Sequence, residues 1–220
     1  MKKLFLIVAL AVTSINATGH AHAEADVNEL NRQALIAARG GNVIKLKELL
    51  SQGASADTRN RFGDSLLMTA IKSGNQEAFD AVLARRPDVN LANTSQVTPL
   101  MAAAYAGNAA AAKMLLERRA DLAAADRLHK TAMVYAAATG HAAVVELLLD
   151  AGVDVNARYE NALTALMWAA GSGDIPTVRL LLARGADTSL TDNRGKTARQ
   201  VALESGQQEV AGLLSGTAAK

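Results

Sequence analysis

The stretch that decides the fold lies near the middle of the chain and reads Thr98-Pro99-Leu100-Met101-Ala102-Ala103-Ala104-Tyr105-Ala106-Gly107-Asn108. The same pattern begins again at Thr131, Thr164 and Thr197, each 33 residues further on, and a related segment begins at Ser65. A fixed period without gaps is the sequence signature of a repeat array, in which each unit packs against its neighbours. We therefore expect a solenoid rather than a domain built around one central core.

Each repeat predicts two short helices joined by a tight connection. A Ser or Thr hydroxyl opens the first helix as its N-cap, and Pro99 occupies a first-turn position that needs no N–H donor. Glycine ends the first helix, because a left-handed backbone costs glycine little. Apolar pairs such as Leu115-Leu116 and Leu148-Leu149 then mark the second helix. The stopping glycines are Gly74, Gly107, Gly140 and Gly173.

The pattern, including the loop Gly185-Ala186-Asp187, resembles the ankyrin repeat from about Asp26 to Leu214. The resemblance implies an all-α ankyrin-repeat solenoid of about six helix-turn-helix units, four complete and two capping, with short hairpin-like turns. The expected domain covers residues 24–214, followed by a flexible tail at 215–220. Its units are 26–59, 60–92, 93–125, 126–158, 159–191 and 192–214.

This sequence departs from the ankyrin pattern at two positions of the unit. The His of the family's Thr-Pro-Leu-His is replaced, so the hydrogen bonds that it makes between units are expected to be absent; the residues here are Met68, Met101, Val134 and Met167. The glycine of the turn survives only as Gly63 and Gly195. The other turns carry Gln96, His129 and Ala162, and we expect them to differ slightly in shape.

The terminal units are expected to be atypical, because each has one face without a neighbour. In the first unit, Asp26 followed by Glu29 predicts a helix N-cap with a capping box. That unit also lacks the turn that leads into every other unit. In the sixth, Arg199 and Gln200 stand where other units have Leu or Met, which predicts the polar outer face of a cap.

The first residues of the chain have the pattern of an export signal. Lys2 and Lys3 precede an apolar run at 4–12, and Ala21-His22-Ala23 forms a small-residue cleavage site. We predict a signal peptide at 1–23, cleavage after Ala23 and a periplasmic location. The apolar run is shorter than the ~20 residues that a transmembrane helix needs. An uncleaved membrane anchor or a buried helix is the alternative, and no stable membrane insertion is expected after cleavage.

Composition narrows the choice of partners. The chain has 23 basic and 21 acidic residues, and removal of Lys2 and Lys3 would leave equal numbers. Bulk attraction to nucleic acid is therefore not supported, and no nucleic-acid partner is expected. There is no Cys, which excludes disulfides and thiol catalysis and fits an oxidising compartment. Only 3% of residues are aromatic, so Ala and Leu must fill the core.

Residues suited to catalysis or metal binding are scarce. Beyond the predicted signal peptide only His129 and His141 remain, one in a turn and one after a helix-stopping glycine. Histidines so placed form neither a zinc site nor a pair of base and nucleophile. The sequence contains neither a phosphate-binding loop nor a nucleophile-elbow motif. We expect no catalytic residues, no metal, no cofactor and no enzymatic activity.

The residues that differ between units mark the expected binding surface. By helical geometry, positions four, seven and eight after the first-helix Thr lie on one stripe. The resemblance implies that this stripe and the turn tips line a concave groove. All aromatic residues of the expected domain except Phe79 fall on the stripe or the tips. The candidate protein-binding residues are Phe62, Lys72, Tyr105, Arg127, Lys130, Tyr135, Tyr159 and Trp168.

Two alternatives accompany this surface. Tyr135 and Trp168 could serve only to pack neighbouring first helices. Basic residues outnumber acidic ones at the turn tips, which hints at an acidic partner surface, although charged tips are usually just solvated.

The expected function is an exported protein–protein interaction scaffold that binds a protein partner through the groove, without catalysis, and is a monomer when unbound. The alternative is an inhibitor or immunity-type protein that blocks a toxic or envelope enzyme. A small-molecule receptor or an enzyme fits less well, because no convergent set of titratable groups is present. Self-association in an envelope structure is a further possibility.

Overall fold

The computed structural model describes residues 26–215, and throughout that range the only strand-like features are isolated β-bridges. The predicted signal peptide and residues 216–220 of the predicted tail lie outside it. The first helix, α1, covers residues 26–39 of the described range. The others are α2 Val43–Ser51, α3 Leu66–Lys72, α4 Gln76–Leu83, α5 Pro99–Ala106, α6 Ala109–Glu117, α7 Ala132–Ala138, α8 Ala142–Asp150, α9 Ala165–Ser172, α10 Ile175–Ala183, α11 Ala198–Glu204 and α12 Gln208–Ser215.

The helices stack in two rows. The first helices of successive units, α3, α5, α7, α9 and α11, contact one another in series, and each packs against the second helix of its own unit. Small residues make this close stacking possible. Ala103-Ala104, Ala136-Ala137 and Ala169-Ala170 are all fully buried between first helices. The predicted all-α repeat solenoid is therefore confirmed.

Side-chain caps start the helices where the sequence predicts them. In the first-helix row, the hydroxyl of Ser65, Thr98, Thr131, Thr164 or Thr197 accepts a hydrogen bond from the backbone N–H three residues on. Such caps satisfy donors that the helix itself leaves unpaired. Second helices use Asn42, Asn75, Asn108 and Asp174 in the same way.

Methionine completes two of these caps in place of the missing histidine. The backbone N–H of Thr98 approaches the sulfur of Met101 at 3.5 Å, and that of Thr164 approaches the sulfur of Met167 at 3.5 Å. Thioether sulfur is a weak acceptor, so these contacts are weaker than an oxygen-mediated capping box. The sixth unit has the stronger version, in which Gln200 Oε1 accepts from the Thr197 N–H at 2.8 Å.

The glycine that ends the first helix allows close packing between units as well as the reversal of the chain. Gly107 has φ of 67°, and a β-carbon added there would lie 2.5 Å from His141 Nδ1 in the next unit. The His141 ring also places Nε2 3.1 Å from the carbonyl oxygen of Tyr105. His141 therefore joins two units, although its side chain does not cap its own helix.

An Asn or Asp at the base of most turns organises the connection between units. Asn60, Asn93, Asp126 and Asp192 occupy the same place in the repeat, and Oδ1 of each accepts from the backbone N–H groups two and four residues on. Local bonds of this kind fix tight turns. The fifth unit has Tyr159 at this position and forms a short 3₁₀ turn at Glu160–Ala162 instead.

Neighbouring turns are joined by backbone hydrogen bonds into a narrow ribbon. The N–H groups of Thr94, Arg127 and Asn193 donate to the carbonyls of Phe62, Ser95 and Asn161 at 3.2, 3.1 and 2.9 Å. Among the described residues, the turns of the fourth and fifth units have no corresponding bond. The altered turn at Tyr159 is the local difference that accompanies this gap.

The turns that lack glycine keep the left-handed backbone that glycine would favour. In each turn, the residue two positions before the N-cap of the first helix has a positive φ. The values are 77° at Gly63, 63° at Gln96, 55° at His129, 60° at Ala162 and 75° at Gly195. The expected difference in turn shape is thus small at Gln96 and His129. It is clear only in the fifth unit, where Asn161 is left-handed as well.

The two ends of the described range differ from the middle. Asp26 is itself helical, so it is not the N-cap that the sequence predicts, and Glu29 instead accepts hydrogen bonds from Arg32 and Gln33. At the other end, Arg199 and Gln200 are exposed, as expected for a cap. No helix within residues 26–215 has the length and apolar character needed to cross a membrane.

Replacing Ala162 with Gly should stabilise the protein. A left-handed backbone costs a non-glycine residue about 1–2 kcal/mol, and the greater flexibility of unfolded glycine offsets part of the gain. We expect the free energy of unfolding to rise by about 0.5–1 kcal/mol in urea denaturation. Gly195→Ala is the matched control at the same repeat position, where an added β-carbon meets no atom within 4 Å. It should destabilise; an unchanged Ala162→Gly midpoint would contradict the argument.

Candidate interaction groove

Three aromatic side chains lie on adjacent first helices along the predicted stripe. Tyr105 is near the end of α5 and is 63% exposed, whereas Tyr135 on α7 and Trp168 on α9 are half-buried and pack against the core. The structure thus brings three predicted residues together on one face. Tyr105 presents most of its surface to solvent, while Tyr135 and Trp168 combine packing with partial exposure.

The two tyrosine rings form an edge-to-face pair. Their centroids are 5.9 Å apart and their planes meet at 89°. This geometry places the positive edge of one ring against the negative face of the other and contributes about 0.5–1.5 kcal/mol beyond simple burial. Tyr105 is therefore supported by a neighbour even though most of it is exposed.

A buried carboxylate fixes the orientation of Tyr135. The Tyr135 hydroxyl donates a hydrogen bond to Asp126 Oδ2 at 2.5 Å. Asp126 in turn accepts hydrogen bonds from the backbone N–H groups of Leu128 and Lys130. Burial would raise the pKa of Asp126, but the hydrogen bonds from Tyr135 and from the turn outweigh it and lower that pKa. The pKa of Tyr135 is raised, first by burial and then by the Asp126 contact.

Lys130 fills the space between two aromatic rings. Its Nζ lies 5.9 Å from the centroid of the Tyr135 ring and 5.7 Å from that of Trp168. Both distances fall within the range of cation–π attraction. Lys130, predicted as a contact residue at a turn tip, therefore also links α7 to α9 across the groove. Trp168 Nε1 is buried without a hydrogen-bond acceptor among the described residues.

The groove next to Tyr105 has an apolar floor and a polar edge. A cavity is lined by Lys72, Val97, Met101, Ala102, Tyr105, Ala106 and Tyr135. Lys72 Nζ pairs with Asp64 at 2.8 Å, and Asp64 also accepts from Asn93 Nδ2 at 2.8 Å. Burial raises the pKa of Asp64, but the bonds from Lys72 and Asn93 lower it further than burial raises it. Lys72 thus lines the groove with its charge compensated.

The remaining predicted contact residues lie in the turns. Phe62 is 50% exposed, and the guanidinium of Arg61 lies 4.7 Å from the centroid of its ring. Arg127 is exposed, and its backbone N–H forms part of the turn ribbon. Tyr159 is placed differently, because its hydroxyl is buried at the base of its turn. Burial raises the pKa of Tyr159 to about 12.

The structure adds residues that the sequence pattern did not single out. Leu128 at a turn tip and Ile36 on α1 are large apolar side chains that are 64% and 58% exposed. Asp126 has the larger structural role, and the recurrence of Asn or Asp at this repeat position was the available signal. His129 and His141 lie 12 positions apart in different elements, and no group of His, Cys, Asp or Glu in residues 26–215 could hold a metal ion.

Stacked helix pairs that recur along the chain define a helical repeat protein. A family model described as ankyrin repeats in three copies matches residues 34–126, 81–159 and 133–219. The chain therefore belongs to the ankyrin repeat family. Ankyrin repeats are protein–protein interaction modules and are generally non-catalytic. A comparison with curated proteins found no match.

The Asp126–Tyr135 contact predicts a pH-dependent contribution to stability. Because the pKa of folded Asp126 is lowered, its stabilisation is present above the ordinary value of 3.8 and is lost as the pH falls through the folded value. Tyr135→Phe should lower the free energy of unfolding by about 1 kcal/mol at pH 7, and by less at pH 2.5. Urea unfolding at both values measures the difference.

Tyr105→Phe is the control for that measurement, because it removes a phenol hydroxyl from an exposed ring and should leave both values unchanged. Equal losses for Tyr135→Phe at the two pH values would show that the bond to ionised Asp126 contributes nothing.

Proposed function

We propose that this protein is an exported, non-catalytic scaffold that binds a protein partner through the groove along α5, α7 and α9. The observation that carries the proposal is the exposed Tyr105 ring in edge-to-face contact with Tyr135. Tyrosine and tryptophan are favoured anchors in protein interfaces, because they bury a large area and lose few rotamers on binding.

The contacts that hold the aromatic side chains in place favour binding by a preformed surface. Tyr135 is tied to Asp126, and Lys130 lies between Tyr135 and Trp168. A surface already ordered before binding loses less conformational entropy when a partner docks. The Lys72–Asp64 ion pair leaves no isolated charge at that edge for a partner to desolvate. A neutral or amphipathic surface of a protein therefore fits next to Tyr105.

The chemistry of the groove supports a binding role over a catalytic one. Asp64 and Asp126 have lowered pKa values and are committed to hydrogen bonds that build the turns. The raised pKa of Tyr135 makes its hydroxyl a poor nucleophile near neutral pH. These groups support structure, and none is poised to exchange a proton at neutral pH.

Export is proposed from the sequence of residues 1–23. The basic Lys2-Lys3, the apolar run and the small-residue site ending at Ala23 together form a signal peptide pattern. The absence of Cys is compatible with an oxidising compartment such as the periplasm. An inhibitor that blocks a toxic or envelope enzyme is a narrower form of the same proposal. It would apply if the bound partner were an enzyme that loses activity in the complex.

Truncating Tyr105 should weaken partner binding. In affinity capture from the source organism, Tyr105→Ala should recover at least about tenfold less of the specific partner, since interface tyrosines commonly contribute 1–2 kcal/mol or more. Tyr105→Phe retains the ring and should bind nearly as well. Ile44→Ala is the surface control, because Ile44 is 85% exposed on α2, away from the groove. Undiminished capture by Tyr105→Ala would refute the groove as the binding site.

Export is tested by mass spectrometry of the protein recovered from the cell envelope fraction. The expected mature chain begins at Glu24. A chain in that fraction that still begins at Met1 would contradict cleavage, and recovery of the protein only from the cytoplasm would contradict export.

A further inference from the structure

Within residues 26–215, the turn of the second unit has no neighbouring turn on the side of the first unit. In the third, fourth and sixth units the second residue of the turn donates its backbone N–H to the preceding turn; these residues are Thr94, Arg127 and Asn193. Arg61 holds the same repeat position, and no turn precedes α1 in the described part of the chain. Among residues 26–215 no acceptor is bonded to the Arg61 N–H. An open backbone edge of this kind can pair with an added extended segment.

A basic cleft lies next to that edge. It is bounded by α1 on one side and by the turn of the second unit on the other, and Arg39, Arg59 and Arg61 line it. None of these three guanidinium groups has a carboxylate partner within the described part of the chain. Arg32 also lines the cleft, but it is paired with Glu29. The cleft thus offers three uncompensated positive charges.

Two exposed apolar side chains complete the cleft. Ile36 on α1 is 58% exposed and Phe62 in the turn is 50% exposed, and both line the same cavity. The Arg61 guanidinium stacks over the Phe62 ring, which holds it near the turn edge. An apolar centre with arginines around it matches a ligand that carries both an apolar side chain and carboxylates.

From these observations we propose that the cleft binds an acidic, extended segment of a protein partner. A backbone carbonyl of that segment accepts from the Arg61 N–H, its carboxylates pair with Arg39 and Arg59, and an apolar side chain packs between Ile36 and Phe62. The inference rests on the proposed function for the statement that the partner is a protein, and it adds the chemistry of the recognised segment.

The two terminal segments of this chain have the wrong charge to occupy the cleft. Residues 1–25 carry Lys2 and Lys3 against the single acid Glu24, and residues 216–220 contain no Asp or Glu side chain. Neither segment supplies the carboxylates that three arginines require. An acidic segment of another protein meets the requirement better.

The test is selection of random displayed octapeptides on the purified protein, followed by fluorescence anisotropy with the enriched peptide. We expect enriched sequences with two or more Asp or Glu residues beside an apolar residue. Arg39→Ala/Arg59→Ala should weaken binding of that peptide by about tenfold or more, because charge-assisted bonds to carboxylates are lost. Arg85→Ala/Arg179→Ala removes two exposed arginines outside the cleft and should leave binding unchanged.

A second pair of variants isolates the backbone contact. Arg61→Ala and Arg61→Pro both remove the guanidinium, but only proline removes the N–H donor. Arg61→Pro should bind the peptide several-fold more weakly than Arg61→Ala, with circular dichroism confirming equal helix content. Equal binding by the two variants would overturn the added-strand geometry.

Enrichment of peptides without acidic residues, or peptide binding that the Arg39→Ala/Arg59→Ala variant retains, would overturn the proposal. Tyr105→Ala separates this result from the groove proposal, because it should reduce capture of the whole partner while leaving peptide binding intact. Loss of peptide binding in Tyr105→Ala would place the peptide in the aromatic groove instead and would likewise overturn the cleft assignment.

Discussion

The close approach of neighbouring first helices is the constraint on which the other features depend. Alanine pairs such as Ala103-Ala104 and Ala136-Ala137 are fully buried between those helices, and larger residues there would force the units apart. This spacing brings a ring on α5 within edge-to-face distance of a ring on α7. It also brings successive turns close enough for backbone hydrogen bonds. The arrangement of the aromatic groove therefore follows from the smallest side chains in the repeat.

The charge along the groove depends on two positions of the repeat whose side chains contact each other within a unit. Asp64 pairs with Lys72 in the second unit, and at the same positions of the sixth unit Lys196 pairs with Glu204, with the signs exchanged. The third unit has Val97 and Tyr105 there, and the groove becomes apolar. Because both side chains of such a pair belong to the same unit, the polarity of the groove can change from unit to unit without altering the fold.

The sequence predicts the helices well because their signals are local. Thr98 and its repeats mark N-caps whose bonds involve residues only three positions away, and the period then fixes which helices stack. The groove is harder to predict because its contacts join different elements. The Tyr135 hydroxyl reaches Asp126 across a turn, and the Lys130 ammonium lies over the Trp168 ring of the next unit. Tyr159 occupies a turn position where the pattern suggests exposure, but its ring is half-buried against the core and its hydroxyl is fully buried.

The gap in the turn ribbon has a mechanical meaning for the array. In a chain of units coupled only to nearest neighbours, resistance to local opening depends on each junction separately. Between the fourth and fifth units the described backbone lacks the hydrogen bond that Thr94, Arg127 and Asn193 make to their neighbouring turns. Side-chain bonds join this junction instead: Arg184 pairs with Glu146 and Asp150, and Asn156 Oδ1 accepts from the Asp187 N–H. Tyr135 and Trp168 lie on opposite sides of this junction, and they are therefore held in register by these bonds and by Lys130 rather than by a bond between turns.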